Sequence, residues 1–499
     1  MKHTNHTNHT EREAGHAEKV RLANEAVAAH RDAAQGDRYR LSYHFMPPAG
    51  WMNDPNGLIY FKEEYHLFYQ HHPYSDKNGP MHWGHAKSGN LTHWEHLPIA
   101  LAPSEPYDLG QSGGYGCWSG SAVEQDGKLV LLYTGHVDGR TPEEVQCMAT
   151  SADGIHFEKY AHNPVIDGNP DGECFGFRDP KAWKHGEHWY MVIGSGKNGR
   201  GRALLYQSAD LRQWQYVGVA AESDGTHGEM WECPDLFPLG DKHVLIVSPM
   251  NMGTVKNYYF VGEMDYATGV FTPESQGKLD DGFDFYAAQT MPGGQGRRIL
   301  LGWMDMWGNL MSAENRGWYG AMTLPRELAL MADGTVGMRP VEELRLLRKE
   351  GISMDGVELA DGAAMAWPRP DAFEMELTCE LAEASKAQAL ELRLTGDGEH
   401  SEEELVIRYE FASRRLTMDR SRAGIGDGGI SETIVPETTD GRLKLHLFVD
   451  TSSVELFMND GAKTITNRVY PKAASRSLQV RSVGGTVTLS KLSLWNLAL

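Results

Sequence analysis

Trp51-Met-Asn-Asp-Pro-Asn-Gly57, followed by the apolar run Tyr65-His-Leu-Phe-Tyr-Gln70, is the unit whose recurrence decides the fold. Four further runs of β-type residues stand at 129–135, 188–194, 243–248 and 298–303. The centres of the five runs are roughly 55–65 residues apart, too long for a solenoid repeat and suited to a four-stranded blade. About a dozen residues ahead of each run sits a denser motif: after Trp51–Gly57 come Trp118-Ser-Gly-Ser-Ala122, Phe177-Arg-Asp-Pro-Lys181, Trp231-Glu-Cys-Pro-Asp235 and Phe285-Tyr-Ala-Ala-Gln289. A second echo keeps the same period. Ser88-x-Asn90-x-x-x-Trp94, Ser151-x-Asp153-x-x-x-Phe157 and Ser208-x-Asp210-x-x-x-Trp214 each lead a polar turn into an aromatic ring. Two registers agreeing on one period predict a five-bladed β-propeller over 39–338.

Outward from the repeat, residues 339–351 around Pro340-Val-Glu-Glu-Leu-Arg-Leu-Leu-Arg-Lys-Glu350 read as a linker helix with proline in its first turn. Short alternating strands follow at 373–379, 390–394, 404–411, 443–449, 454–458 and 478–483, with Asn459-Asp460-Gly461 as a hairpin turn. They predict a β-sandwich over 352–499 and an all-β fold class for the whole. The N-terminal extension, 1–38, combines a polar tail carrying His3, His6 and His9 with a helix over 11–35.

Composition narrows the function. Glycines number 55 and prolines 23 in 499 residues, which favours turns and strands over helices. The formal net charge of −21 and the lack of a basic stripe argue against nucleic acid as a partner. No apolar stretch reaches about 18 residues, so no membrane span is expected. The chain opens without an apolar leader, and its five cysteines lack CxxC spacing, so a reduced, cytoplasmic setting is expected. A homo-oligomer is compatible with all of this.

Three of the five motifs carry a carboxylate: Asp54, Asp179 and Glu232. In a propeller the first strand of each blade lines the axis, so equivalent strand starts converge on one axial pocket. Pro55 and Pro180 should hold Asp54 and Asp179 extended at the first residue of a strand. Each acid alone has a bland reading, as an Asp-Pro turn or a surface ion pair. In blade register, beside Trp, Phe and Arg, they suit glycoside hydrolysis, where one carboxylate attacks and another protonates the leaving oxygen. Trp51, Trp118 and Trp307 offer rings for sugar stacking, while Asn53 and Gln70 offer amides for hydroxyls.

The motifs WMNDPNG, FYQ, WGHAKS, SGSA, FRDP, ECPD, DFYAAQT and AMTLPREL (321–328) resemble glycoside hydrolase family 32, in order, from about Tyr43 to Leu328. The stretch Asp450-x-Ser452-x-Val454-Glu-Leu-Phe-x-Asn459 is similar to the family's sandwich domain. The resemblance implies a propeller joined to a sandwich, and retaining hydrolysis of β-fructofuranosides such as sucrose, sucrose-6-phosphate or short fructo-oligosaccharides. It implies Asp54 as nucleophile, Glu232 as acid/base and Asp179 as a holder of fructose hydroxyls. Asn53, Gln70, Trp118, Ser119, Arg178 and Trp307 would line the fructose pocket; no metal or cofactor is implied. Where many relatives carry Trp before the glycine of the loop after FYQ this chain has Asn78, and where they show Phe before Ser-Gly-Ser it has Trp118, which leaves the leaving group open. Lys197, Arg200 and Arg202 share a Gly-rich loop that could receive a phosphate or simply be solvated. A fructosyltransferase with the same acids and a non-catalytic carbohydrate-binding protein are the alternatives.

Overall fold

The computed structural model describes residues 4–369, 371–381, 385–473 and 476–499. Five four-stranded antiparallel blades form the larger part. The first is built from Gly50–Phe61, Glu64–His72, His82–Ser88 and Glu95–Leu101. The next three begin on Tyr115–Gln125, Phe177–His185 and Met230–Leu239, and the fifth on Tyr286–Pro292. These inner strands neighbour one another around a ring. The ring is locked where Trp318–Tyr319, arriving from the fifth blade, pairs in parallel with Gly50 and Trp51.

The five apolar runs are the second strands of the blades. They are sandwiched between neighbouring blades, so both faces are buried: along Leu129–His136 and Trp189–Gly196 every residue is out of solvent. That explains a continuous apolar run where a surface sheet would alternate. One apolar core fills each gap. Leu131, Phe68 and Trp83 pack between blades one and two, and Met52, Leu67, Ile299 and Leu301 between blades one and five. The polar echo is the turn between third and fourth strands. Oδ1 of Asn90, Asp153 and Asp210 accepts the N–H three residues on at 2.9 Å in each case.

The sandwich consists of two six-stranded antiparallel sheets around one core that includes Met375, Leu392, Ile407, Leu447 and Leu492. Asn459 and Asp460 turn the predicted hairpin with φ of 47° and 58°. Half of the twelve strands escaped the sequence reading, among them the long exposed edge strand Arg348–Leu359, whose charged residues mask the alternation. The expected linker helix is corrected by that strand. Only Glu342–Leu347 winds, as a 3-10 turn, and Arg348 to Gly351 already pair with the last strand.

Propeller and sandwich meet through a buried ionic network. Arg326, from the motif AMTLPREL, donates to Asp280 Oδ2 at 2.9 Å and to Glu455 Oε2 at 2.6 Å, with all three side chains fully buried. His44 bridges Asp450 and Glu455 at 2.8 and 2.9 Å. Removing one partner of such a set leaves uncompensated charge in a dry interface. Arg326→Met is therefore expected to destabilise the chain by about 3–5 kcal/mol in denaturant unfolding, and a loss below about 1 kcal/mol would contradict the account.

The N-terminal helix runs over Thr4–Gln35, earlier than expected, so the polar tail is helical from residue 4; the side chains of His3, His6 and His9 lie outside the described ones. It docks on the outer strand of the first blade, whose edge would otherwise be open. Ala23 and Val27 pack on Ile99, while Asn24 Oδ1 and His16 Nε2 accept the N–H groups of Ile99 and Ala102 at 3.1 and 3.2 Å. Burial lowers His16 to about 3, keeping its ring neutral and able to accept. Among the described residues no helix is long and apolar enough to cross a membrane.

Candidate active site

Every inner strand slips register at the same level. The slips fall between Met52 and Pro55, Trp118 and Gly120, Arg178 and Lys181, Glu232 and Asp235, and Tyr286 and Gln289. A β-bulge bends the strand and re-aims the extra side chain. Five bulges at one level turn the axial end of the propeller into a ring of re-aimed residues. This corrects the role expected of the prolines: none opens a strand, Pro55 closes its bulge by pairing with Tyr69, Pro180 and Pro234 lie inside theirs, and Asp179 and Cys233 before the latter two have φ of +66° and +48°. Ala287 repeats this in blade five with φ +52°. Such left-handed backbone is strained for residues other than glycine and is held only where the surroundings impose it.

The three acids come together at this ring. Asp54 accepts from Ser119 Oγ at 2.6 Å through Oδ2 and from Asn53 Nδ2 at 3.0 Å through Oδ1. Burial raises its pKa, and the two donors oppose that rise. Asp179 Oδ2 accepts the N–H of Cys233 at 2.8 Å, and the Cys233 thiol lies 3.6 Å from both Asp179 and Asp54. Burial keeps that thiol protonated, with the neighbouring carboxylates adding to the effect. Glu232 is one-fifth exposed. Its Oε1 accepts from Arg178 Nε and Nη2 at 3.0 and 2.8 Å, and its Oε2 accepts the Tyr286 hydroxyl.

Asp179 is pushed up to about 8, chiefly by burial, with Glu232 and Asp54 adding like charge. Between about pH 4 and about pH 8 the folded chain therefore holds a proton here that the unfolded chain has lost, so stability falls as pH rises across that window. Asp179→Asn is expected to flatten this decline in denaturant midpoints measured from pH 5 to pH 8; an unchanged slope would contradict it.

The residues expected to meet sugar are placed as follows. Asn53 is held between Trp51 Nε1 at 2.8 Å and Asp54. Gln70 is buried, its amide donating to the Cys117 carbonyl at 3.0 Å. Trp118 lies flat on His136, ring centroids 3.6 Å apart, with the Arg178 guanidinium 5.8 Å from its ring centre. Trp307 is 45% exposed and stacks on Trp51 at 5.6 Å. Trp51 is corrected as a stacking surface: Tyr319 covers it at 4.6 Å and Trp307 partly overlies it, so it is a support. Lys197, Arg200 and Arg202 are also engaged. Lys197 donates to the Asp171 carbonyl at 3.1 Å, Arg202 pairs with Asp171 and Glu222 at 2.8 and 3.2 Å, and Arg200 with Glu222 at 3.6 Å.

Tyr286, Glu144, His136 and Thr134 belong to the site but escaped the sequence reading. Tyr286 lies inside a quoted motif at the blade-five level, so its offset was the available signal. Glu144 opens a third strand and has no motif around it. Thr134 Oγ1 accepts the Asp179 N–H at 3.0 Å, securing that bulge.

Three carboxylates converging at the end of a propeller axis, with indoles beside them and donors of different kinds on Asp54 and Glu232, are the equipment of a glycoside hydrolase. The comparisons agree. Residues 44–340 match the glycosyl hydrolases family 32 N-terminal domain, and residues 343–496 the glycosyl hydrolases family 32 C terminal. The sucrose-6-phosphate hydrolase of Escherichia coli is 40% identical over 488 residues, covering 93% of this chain and 96% of that one. The raffinose invertase of Escherichia coli is 39% identical over 485 residues, with the same coverage of 93% and 96%. The Bombyx mori GH32 beta-fructofuranosidase superposes with a TM-score of 0.81 at 36% identity, covering 97% of this chain and 98% of that one. The chain belongs to glycosyl hydrolases family 32.

Proposed function

We propose that this chain hydrolyses terminal β-D-fructofuranosides with retention, through a covalent fructosyl-enzyme ester on Asp54. The observation that carries the reading is the contrast between two acids at one level of the ring. Asp54 is gripped by the neutral donors Ser119 and Asn53, which orient it as an attacking carboxylate. Glu232 is bound instead by a cation and a phenol, with one oxygen on Arg178 and the other on the Tyr286 hydroxyl.

In the first step Asp54 attacks the anomeric carbon, the glycosidic C–O bond breaks, and the leaving oxygen takes the proton of Glu232. In the second, Glu232 takes a proton from water as its oxygen attacks the same carbon and the ester to Asp54 breaks. Asp179 holds fructose hydroxyls and takes no part in proton transfer. Asn53, Gln70, Trp118, Ser119, Arg178 and Trp307 line the fructose pocket. The catalytic unit is 39–340, with 1–38 as an extension, 341–347 as linker and 348–499 as the sandwich. Five free thiols suit a reducing, cytoplasmic setting.

For the leaving group, sucrose is placed ahead of its 6-phosphate, because Arg200 and Arg202 are already paired with Glu222 and Asp171, and Lys197 is tied to the Asp171 carbonyl. The relatives are named for sucrose-6-phosphate and raffinose, and a mutant of the Bombyx enzyme was solved in complex with sucrose. Initial rates on sucrose, sucrose-6-phosphate, raffinose, kestose and inulin test the reading. Free fructose from sucrose is expected as the main product, at kcat/KM no lower than for the phosphate. No fructose from any of them, or transfer products outweighing free fructose at low sugar concentration, would sink it.

A further inference from the structure

Arg178 does not serve Glu232 alone. Its Nη1 donates to Glu144 Oε1 at 3.0 Å, while Nε and Nη2 converge on Glu232 Oε1. Glu144 is itself pinned: its other oxygen accepts the Phe177 N–H, and His136 Nδ1 lies 3.6 Å from Oε1. Behind it His136 Nε2 meets Asp138 at 2.8 Å. Trp118 roofs the assembly, flat on His136 and facing Arg178.

A guanidinium presents its donors as a rigid planar fork and prefers to take a carboxylate by both oxygens. Here Nε and Nη2 both fall on one oxygen of Glu232, while Glu144 holds Nη1 and so fixes how the fork is turned. Oε2 of Glu232 is thereby left to Tyr286, on the side where a proton must come and go. Glu144 also shares the positive charge of Arg178, which would otherwise fall wholly on Glu232 and favour its ionised form. Burial would raise Glu144, yet Arg178 and its other partners bring it down to about 2, so it is a permanent anion at working pH.

We propose that Glu144 is a positioning residue for the acid/base step: by holding Nη1 of Arg178 it keeps the guanidinium on one oxygen of Glu232 and leaves the other able to carry the proton. The proposal rests on the reading of Glu232 as acid/base. The charged and titratable groups facing this pair are Arg178 and Asp179 from blade three, Asp54 from blade one, and His136 and Asp138 from blade two. Cys233 from blade four, Tyr286 from blade five and Cys174 on the loop before blade three complete the set.

The test is the pH dependence of kcat/KM on sucrose for the full chain and for Glu144→Gln, a change that keeps shape and removes charge. Arg178 would then act on Glu232 undivided. The alkaline limb, where the acid loses its proton, is expected to move down by about one pH unit, with kcat reduced about 10-fold or more. A folded Glu144→Gln chain with an unmoved alkaline limb, whatever its kcat, overturns the proposal. Should the glutamine variant fail to fold, Glu144→Asp carries the test, since it keeps the charge but draws it back by one methylene. Its kcat is expected to fall severalfold with the limb held within about 0.3 unit, and a wild-type kcat or a larger shift overturns the proposal. Glu232→Gln, profiled on sucrose at its residual rate, separates the two failures. Loss of the alkaline limb there assigns the limb to Glu232, so an unmoved limb in Glu144→Gln counts against Glu144 alone. Its persistence would overturn the acid/base reading and this proposal with it.

Discussion

Asp54→Asn is expected to turn over sucrose at least about 10⁴-fold more slowly than the parent chain, with KM within a few-fold. An amide in place of the carboxylate cannot form the ester on which both half-reactions depend. The substitution is otherwise mild. Asparagine fits the same bulge and can still accept from Ser119, and replacing a carboxylate whose charge burial disfavours should leave folding stability equal or higher. The loss would thus come from chemistry, which a cooperative unfolding transition at or above the wild-type midpoint would establish. Near-normal kcat in protein free of deamidated or contaminating enzyme would overturn the nucleophile assignment.

Glu232→Gln is expected to cost about 10³-fold on sucrose and much less, about 10-fold, on an aryl fructoside whose leaving group needs no proton. The contrast is the sign of a general acid. In the glutamine variant Arg178 keeps Glu144 as its anionic partner, so the pocket should stay ordered. For the aryl substrate the second step then limits, and added azide, which attacks without base assistance, should raise turnover. Equal losses on both leaving groups, with no effect of azide, would contradict the role of Glu232.

What the sequence made legible follows from where each residue sits. Second strands such as Lys128–Val137 are buried on both faces, so their apolar runs stood out at blade spacing, and inner-strand motifs stood out because the bulges demand particular residues. Asp54, Asp179 and Glu232 were visible for that reason. The bulges themselves were not, because proline next to an acid reads as extended backbone until the register of the partner strand is known. Glu144 was invisible for a different reason: its importance comes from meeting Arg178 across two blades, and nothing near it in sequence repeats. The edge strand Arg348–Leu359 and its neighbours were missed because exposed edges carry charge where a buried strand alternates. Trp51 shows the converse error. An aromatic in the right motif was given a sugar to stack on, when its faces were already taken by Tyr319 and Trp307.

The proposed mechanism requires a fructosyl ester on Asp54. Rapid acid quenching of Glu232→Gln with an aryl fructoside, followed by proteolysis and peptide mass measurement, addresses it directly, because slowing the second step lets the ester accumulate. One added fructosyl mass is expected on the peptide containing Asp54, lost in Asp54→Asn. A fructosyl group found on the peptide of Asp179, or no adduct together with fructose released in the inverted anomeric form, would contradict it.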